Sequence, residues 1–347
     1  MGTADRNISV ITLRDRHFKE KLLDACNAYL DQSPNHRLAI GIMKGDRVYV
    51  YGNGIGETDL FDIGSVSKTF TAHLVLLLES HGLIDLHKSV DHYIPLRPGA
   101  YPTVLELLTH TAGYSHLTPL EITVPKLLKK PYLYRNIYEN CTPVNVVQCL
   151  ERRRRHKPSD HYSYSDFPYA ILAVVCENVT KIPFRTLLAD FIQNTLQMKS
   201  TRVLAAPENR TIPAAHKHRI LDFWNWHEEN PYLASGGMVS TVSDMLKYID
   251  IQLHSQEDYI TGAHQKHPAT SAKNVRICKG WHTYEKSNQL WHVGGVGTFR
   301  SSIIINKEKD MGVVVLGNAK GLRSANVHYL AKMVYSDLKT KRIKLPN

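Results

Sequence analysis

Hydrophobic and polar positions repeat with two periods along this chain, and the changes of period outline its organisation. Phe18, Leu22, Leu23, Cys26 and Leu30 recur at helical spacing, so residues 17–30 predict an amphipathic helix. Residues 37–43 and 47–51 are β-prone runs joined by Lys44-Gly45-Asp46, a hairpin signal. From Ser65 to about Ser80 the pattern turns helical, with Phe70, Leu74, Leu77 and Leu78 on one face and Gly82 closing the helix. The stretch from about 104 to 251 is mostly helix-like, broken by proline and glycine, and includes an apolar helix from Phe167. Residues 290–293, 299–306 and 311–316 return to strand character, and 324–338 predict a last helix. Strands near both ends with helices between them imply one sheet built from the termini. On this reading 1–64 and 276–347 form a sheet-containing α/β lobe, 65–275 form a mainly helical inserted lobe, and the active site lies between them.

Composition narrows the class. The 347 residues exceed what one hydrophobic core usually serves, and 43% hydrophobic with 22% charged residues is ordinary globular usage. Disordered, fibrous and small disulfide-stapled proteins are thereby excluded. The formal charge of +11 suggests anionic partners, and protonating all nineteen histidines in mild acid would raise it further. The five cysteines show no CxxC pair, so neither a zinc ribbon nor a thioredoxin-type site is expected. No apolar run approaches a membrane span, and the first twenty residues carry no signal-peptide pattern. The sequence as it stands reads as cytoplasmic, or as secreted or cell-envelope if a leader has been removed.

Candidate chemistry begins with Ser65-Val66-Ser67-Lys68, an SxxK tetrad where a β-like run gives way to a helix. A serine at a helix head meets free backbone N–H groups that favour developing negative charge. Lys68 lies one turn on along the same face, within reach of the serine proton. Taken alone, the tetrad reads first as a helix-capping serine beside a solvated lysine.

The tetrad is one of five stretches that occur in order over most of the chain. They are Phe61 to Lys68, Leu107-Leu108-Thr109-His110-Thr111-Ala112-Gly113, Tyr162-Ser163-Tyr164-Ser165-Asp166, Ser235-Gly236-Gly237-Met238-Val239-Ser240-Thr241 and His292-Val293-Gly294-Gly295. Through them the chain resembles the serine β-lactamase and penicillin-binding protein superfamily, in its class C-like branch of D,D-peptidases, D-aminopeptidases and esterases. The resemblance implies a β-lactamase-like α/β (α+β) fold: an antiparallel sheet flanked by terminal helices, with an all-helical lobe inserted. It gives Ser65 the role of nucleophile, Lys68 that of its base and Tyr164 that of proton relay. The backbone N–H groups of Ser65 and Gly295 would form the oxyanion hole. His292 stands where the third motif has a basic residue, and would hold positive potential beside the tyrosine.

Two positions depart from the family pattern. Asp166 replaces the usual asparagine, and a carboxylate beside Lys68 would favour the charged lysine and shift the base role toward Tyr164. Val293 replaces a threonine or serine whose hydroxyl helps hold a substrate carboxylate, which favours a neutral acyl substrate over a β-lactam. Arg300 offers itself as a replacement anchor for that carboxylate, although a lone arginine there reads first as a surface residue. With Val293, Gly294 and Asp166, the substrate-contacting candidates include Trp226, in the run Phe223-Trp224-Asn225-Trp226-His227, which suits an aromatic wall as well as plain core.

Other signals carry less. The run Arg152-Arg153-Arg154-Arg155 follows a helix-like segment and reads as a solvated helix end, with no aromatic interleaving to suggest nucleic acid. His216-Lys217-His218 offers two ligands but no third at metal-site spacing, so neither metal nor cofactor is expected. The expected partner is a small-molecule or peptide substrate, cleaved at an amide or ester bond through an acyl-enzyme. The competing readings are a weak β-lactamase and a catalytically silent ligand sensor.

Overall fold

The computed structural model describes residues 10–114, 136–154, 161–204, 210–216, 218–268, 270–272, 274–321 and 326–346. From the N-terminal side, β1 (Val10–Thr12) leads to α1 (Glu20–Leu30), β2 (Leu38–Lys44), β3 (Arg47–Asn53), β4 (Phe61–Asp62) and α2 (Ser67–Ser80). Then come α3 (Val104–Leu108), α4 (Pro143–Arg152), α5 (Phe167–Thr180), α6 (Phe184–Asp190), β5 (Arg202–Val203), β6 (Ala214–His216) and β7 (Arg219–Leu221). The C-terminal part holds α7 (Leu233–Gly236), β8 (Met238–Ser240), α8 (Val242–His254), α9 (Asp258–Thr261), β9 (Thr270–Ala272), β10 (Val275–Ile277) and β11 (His282–Tyr284). It closes with β12 (Gln289–Val296), β13 (Phe299–Asn306), β14 (Met311–Gly317) and α10 (Val327–Lys339).

Nine strands form the main sheet in the order β1-β3-β2-β14-β13-β12-β11-β10-β9. The two chain ends therefore meet at its centre, where β2 pairs antiparallel with β14 from Leu38↔Gly317 to Lys44↔Met311. Every pairing is antiparallel except β1 with β3, which makes the sheet mixed.

Strand alternation explains the long apolar runs in β2 and β14, because both faces of the sheet are covered. Ile40, Ile42, Val313 and Val315 face one way and bury against Leu22 and Cys26 of α1 and Leu330 and Val334 of α10. Ala39, Met43, Val314 and Leu316 face the other way into a larger core shared with Leu246 and Ile249 of α8 and with the apolar faces of α2 and α5. α8 lies within the stretch expected to form the helical lobe, yet it packs on the sheet.

That stretch is also less purely helical than its pattern suggested. β4, β8 and β5 form a three-stranded sheet, and β6 with β7 forms a hairpin. Strands of two or three residues are too short to show a period of two. The first helix begins at Glu20 after a separate turn at Asp15–His17, and the last begins at Val327. Five cysteines, Cys26, Cys141, Cys149, Cys176 and Cys278, are buried free thiols. Among the described residues no helix is long and apolar enough to cross a membrane.

Burial also changes what the histidines do. Burial pushes His73, His282 and His328 down to about 4 and His264 to about 3, lowers His36, and holds His292 far below the ordinary imidazole range. These side chains stay neutral in the fold, so the histidines do not charge together in mild acid as their number alone suggested. The unfolded chain binds their protons below about pH 6.5 while the folded chain does not, so stability is full above that pH and falls below it. The fully buried His73, His282 and His292 together remove about 4 kcal/mol per pH unit. The urea unfolding midpoint is expected to drop steeply between pH 6.5 and pH 4.5; a midpoint flat across that range would contradict this.

Candidate active site

Ser65 lies in a tight turn, Gly64–Val66, that runs into α2. No side chain caps α2; the Val66 amide donates to the Ile63 carbonyl at 3.2 Å and the Ser67 amide to the carbonyls of Gly64 and Ser65. The turn is pressed against β12. A Cβ on Gly64, whose φ is +51°, would sit 2.4 Å from the Gly295 nitrogen, and one on Gly294 would sit 1.9 Å from the Ile63 carbonyl oxygen. Ser301 adds a hydrogen bond from its hydroxyl to that same carbonyl, 2.6 Å long. Only glycine fits at both positions, and their contact sets the backbone at Ile63–Gly64, next to Ser65, directly against Gly294–Gly295.

The exposure of the Gly295 amide follows from register. β12 and β13 are joined by the two-residue turn Gly297-Thr298, with Val296↔Phe299 as the closing pair and Gly295↔Arg300 next. A two-residue turn closes on a hydrogen-bonded pair, so alternation turns the Gly295 N–H and C=O away from β13. On that side β11 pairs only with Leu290 and Trp291, which leaves residues 292–296 as an open edge.

Lys68 is fully buried, and its Nζ lies 3.1 Å from Ser65 Oγ, 2.6 Å from Asp166 Oδ1 and 2.9 Å from the Ser235 carbonyl; the ammonium donates to all three, whereas the neutral amine keeps the last two and accepts from the Ser65 hydroxyl. Burial pulls its pKa below the ordinary lysine value, and the Asp166 carboxylate pulls the other way. Burial is the larger of the two influences. Tyr164 moves in the opposite direction. Burial, then the Asp166 charge, keep its phenol well above 10, with a hydrogen bond to Ser65 partly offsetting them. Tyr164 is therefore neutral at rest.

The charge expected on His292 is corrected as well. Its side chain is buried, and after burial the neighbouring His282 and Lys68 further disfavour protonation. Its Nδ1 donates to the Val293 carbonyl at 2.9 Å, which leaves Nε2 as a lone-pair acceptor. The ring centroid lies 6.3 Å from Tyr164 and 5.4 Å from His282. His282 in turn shares a hydrogen bond between its Nε2 and the Tyr162 hydroxyl, 2.8 Å. His110 is scaffold. Its carbonyl accepts from Ser163 N, its Nδ1 from Ser165 N, and its ring packs 4.6 Å from Tyr164.

A cavity of about 660 Å³ opens over Ser65, and Tyr164, Asp166, Trp226, Val293, Gly294, Gly295 and Arg300 all line it. Lys68 and His292 lie behind this surface. Arg300 is not a surface arginine: it lies along Gly295, with Nη1 donating to the Gly297 carbonyl at 3.0 Å. Trp226 and Trp224 belong to the cleft wall, so the aromatic run is more than core.

Sequence reasoning missed Tyr138, which lines the cavity, stacks on Tyr232 at 4.2 Å and donates to Asp166 Oδ2 at 2.7 Å. No motif marks it. The available signal was an aromatic in the polar run Asn136-Ile137-Tyr138-Glu139-Asn140. Arg152 and Arg153 sit at the end of α4 as expected, while Arg155 and Lys157 lie outside the described residues. Among the described residues no group of three histidine, cysteine, aspartate or glutamate side chains is arranged to hold a metal ion.

Known proteins give the same frame. The fold is shared with the octameric penicillin-binding protein homologue from Pyrococcus abyssi, at a TM-score of 0.75 and 21% identity over 93% of this chain and 78% of that one. A class C beta-lactamase matches at a TM-score of 0.74 and 18% identity, covering 92% and 96%. In sequence the chain is 24% identical over 329 residues to Protein flp of Staphylococcus aureus (strain MW2), covering 85% of this chain and 61% of the relative. A beta-lactamase of Providencia stuartii is 25% identical over 242 residues, 65% of this chain and 57% of the relative. The chain thus spans about three fifths of the length of these curated relatives. The Beta-lactamase family model matches residues 27–334, and the chain belongs to that family.

Proposed function

We propose that the chain is a serine hydrolase that cleaves an amide or ester through an acyl-enzyme on Ser65. The observation that carries this reading is the Lys68 Nζ to Ser65 Oγ contact of 3.1 Å beneath an open cleft. Neutral Lys68 takes the serine proton as Oγ attacks the substrate carbonyl carbon. The ammonium that forms is met by Asp166 Oδ1 and the Ser235 carbonyl, both already in place. The carbonyl oxygen, now negative, lies between the amides of Ser65 and Gly295. Tyr164, neutral and hydrogen-bonded to Ser65, hands a proton to the leaving group and is reprotonated by the Lys68 ammonium, which returns Lys68 to its neutral form; water then reverses the sequence to release the acyl group. Neutral His292 offers Nε2 as a proton acceptor near the tyrosine rather than a fixed positive charge. Every group this chemistry needs is a protein side chain or amide.

The cleft favours a peptidase or esterase over a β-lactamase. Val293 offers no hydroxyl to a carboxylate, and Tyr138, Trp224, Trp226 and Val296 present apolar surface to the acyl part. The open edge at 292–296 suits an extended peptide added as a strand. The silent-sensor reading is disfavoured by the nucleophile, base and relay standing together.

A serine-directed fluorophosphonate is expected to label the wild type and not Ser65→Ala; no adduct on the wild type would sink the enzyme reading. A panel of p-nitrophenyl esters, D-aminoacyl amides, D-Ala-D-Ala peptides and nitrocefin is expected to rank nitrocefin last. Removing the carboxylate in Asp166→Asn takes away what raises the Lys68 pKa, so the ascending limb of the pH–rate profile moves to lower pH. Its plateau falls about tenfold as the ammonium loses a charged partner; an unchanged profile would refute the role given to Asp166. Gly294→Ala forces the Ile63 carbonyl away, and is expected to cut labelling by about a hundredfold or more as the Gly295 amide leaves the oxyanion position. Labelling at the wild-type rate would exclude Gly295 as a donor.

A further inference from the structure

We infer that Tyr138 is a positioning residue matched to Asp166: its phenol holds the carboxylate against Lys68, in the place where the family pattern has an amide. The inference rests on the proposed hydrolase reading for its kinetic consequence, though its structural content stands apart from it. A carboxylate has only acceptor positions, and this one is held on both oxygens, Oδ1 by Lys68 at 2.6 Å and Oδ2 by Tyr138 at 2.7 Å. The side chain of Asp166 is 19% exposed and lines the cleft, so without the second contact it is free to turn toward solvent.

Tyr138 is itself built to stay still. Its backbone N–H donates to Asn136 Oδ1 at 2.9 Å, and its carbonyl accepts from Asn230 Nδ2 at 2.6 Å. Its ring stacks on Tyr232 at an interplanar angle of 9°, and Asn230 Oδ1 in turn accepts from Tyr232 N at 3.0 Å. One asparagine thus fixes both rings of the stack. The hydroxyl is delivered to Asp166 by a rigid platform, and the order of dependence runs from Tyr138 to Asp166 to Lys68.

The test compares Tyr138→Phe in two backgrounds. Phenylalanine keeps the ring, its stack and the cleft wall, and thermal melting of each variant checks that the fold is kept. In the wild-type background the fluorophosphonate labelling plateau is expected to fall about tenfold, and the ascending pH limb to move down by about half a unit. In the Asp166→Asn background the same substitution is expected to change labelling less than twofold, because an amide does not need the phenol in the same way. Lys68 is followed separately by NMR of 15N-lysine, which reads its titration whether or not Ser65 is acylated. The Nζ midpoint is expected to fall in Tyr138→Phe, by less than in Asp166→Asn, and not to fall further in the double variant. Equal losses in both backgrounds, or an Nζ midpoint unmoved by Tyr138→Phe, would overturn the inference. Absence of wild-type labelling with the Nζ shift intact would instead remove the hydrolase reading and leave the positioning role standing.

Discussion

The approach of the Ile63–Gly64 backbone to Gly294 and Gly295 governs the rest of this molecule. Helix α2 has to reach the sheet at its own first turn, because only there can Ser65 share a substrate oxygen with a strand amide. A side chain on either partner would hold the two backbones apart by more than a hydrogen bond can span. The helical cluster behind α2, the short sheet through β4 and the register of β12 with β13 all act on this contact. Asp62 illustrates the point. It is buried in a two-point ion pair with Arg210, whose guanidinium lies 4.4 Å from the centre of Phe223, so the chain just before Gly64 is clamped to the segment carrying Trp224 and Trp226.

Charge in the site is kept to a minimum, which follows from where the groups sit. Behind the cleft surface, His282, His292 and Tyr164 are neutral, and Lys68 with Asp166 form one pair in which the lysine is buried and the carboxylate reaches solvent. A buried lysine without that partner would carry the full cost of leaving water. With it, attraction to the carboxylate works against burial, and burial remains the larger influence.

Much of this was legible in the sequence, and the parts that were not share a cause. The order of the five motifs located Ser65, Lys68, Tyr164, Asp166, His292 and Gly295 together, since each motif ties a residue type to a backbone setting. The long strands β2, β12, β13 and β14 and the helices α2 and α5 announced themselves by length and apolarity. The positive charge expected on His292 is opposed by burial, and depth of burial is a property of the packed molecule and not of the residue. Arg300 was read first as a surface residue and Tyr138 was missed because the place of each is set by folding, Arg300 by the turn that lays it along Gly295 and Tyr138 by its contact with Asp166, 28 residues on. The short strands β5 to β8 left no periodic trace.

The glycine contact between turn and strand has a mechanical side. It joins the sheet to the helical body backbone against backbone, with the Ser301 hydroxyl bonded to the Ile63 carbonyl at the point of meeting. An acyl group bonded to Ser65, with its oxygen shared by the Gly295 amide, would act as a strut across that seam. Occupancy of the cleft would then be felt as rigidity of the whole chain, and the fold would be tightest at the moment the chemistry is half done.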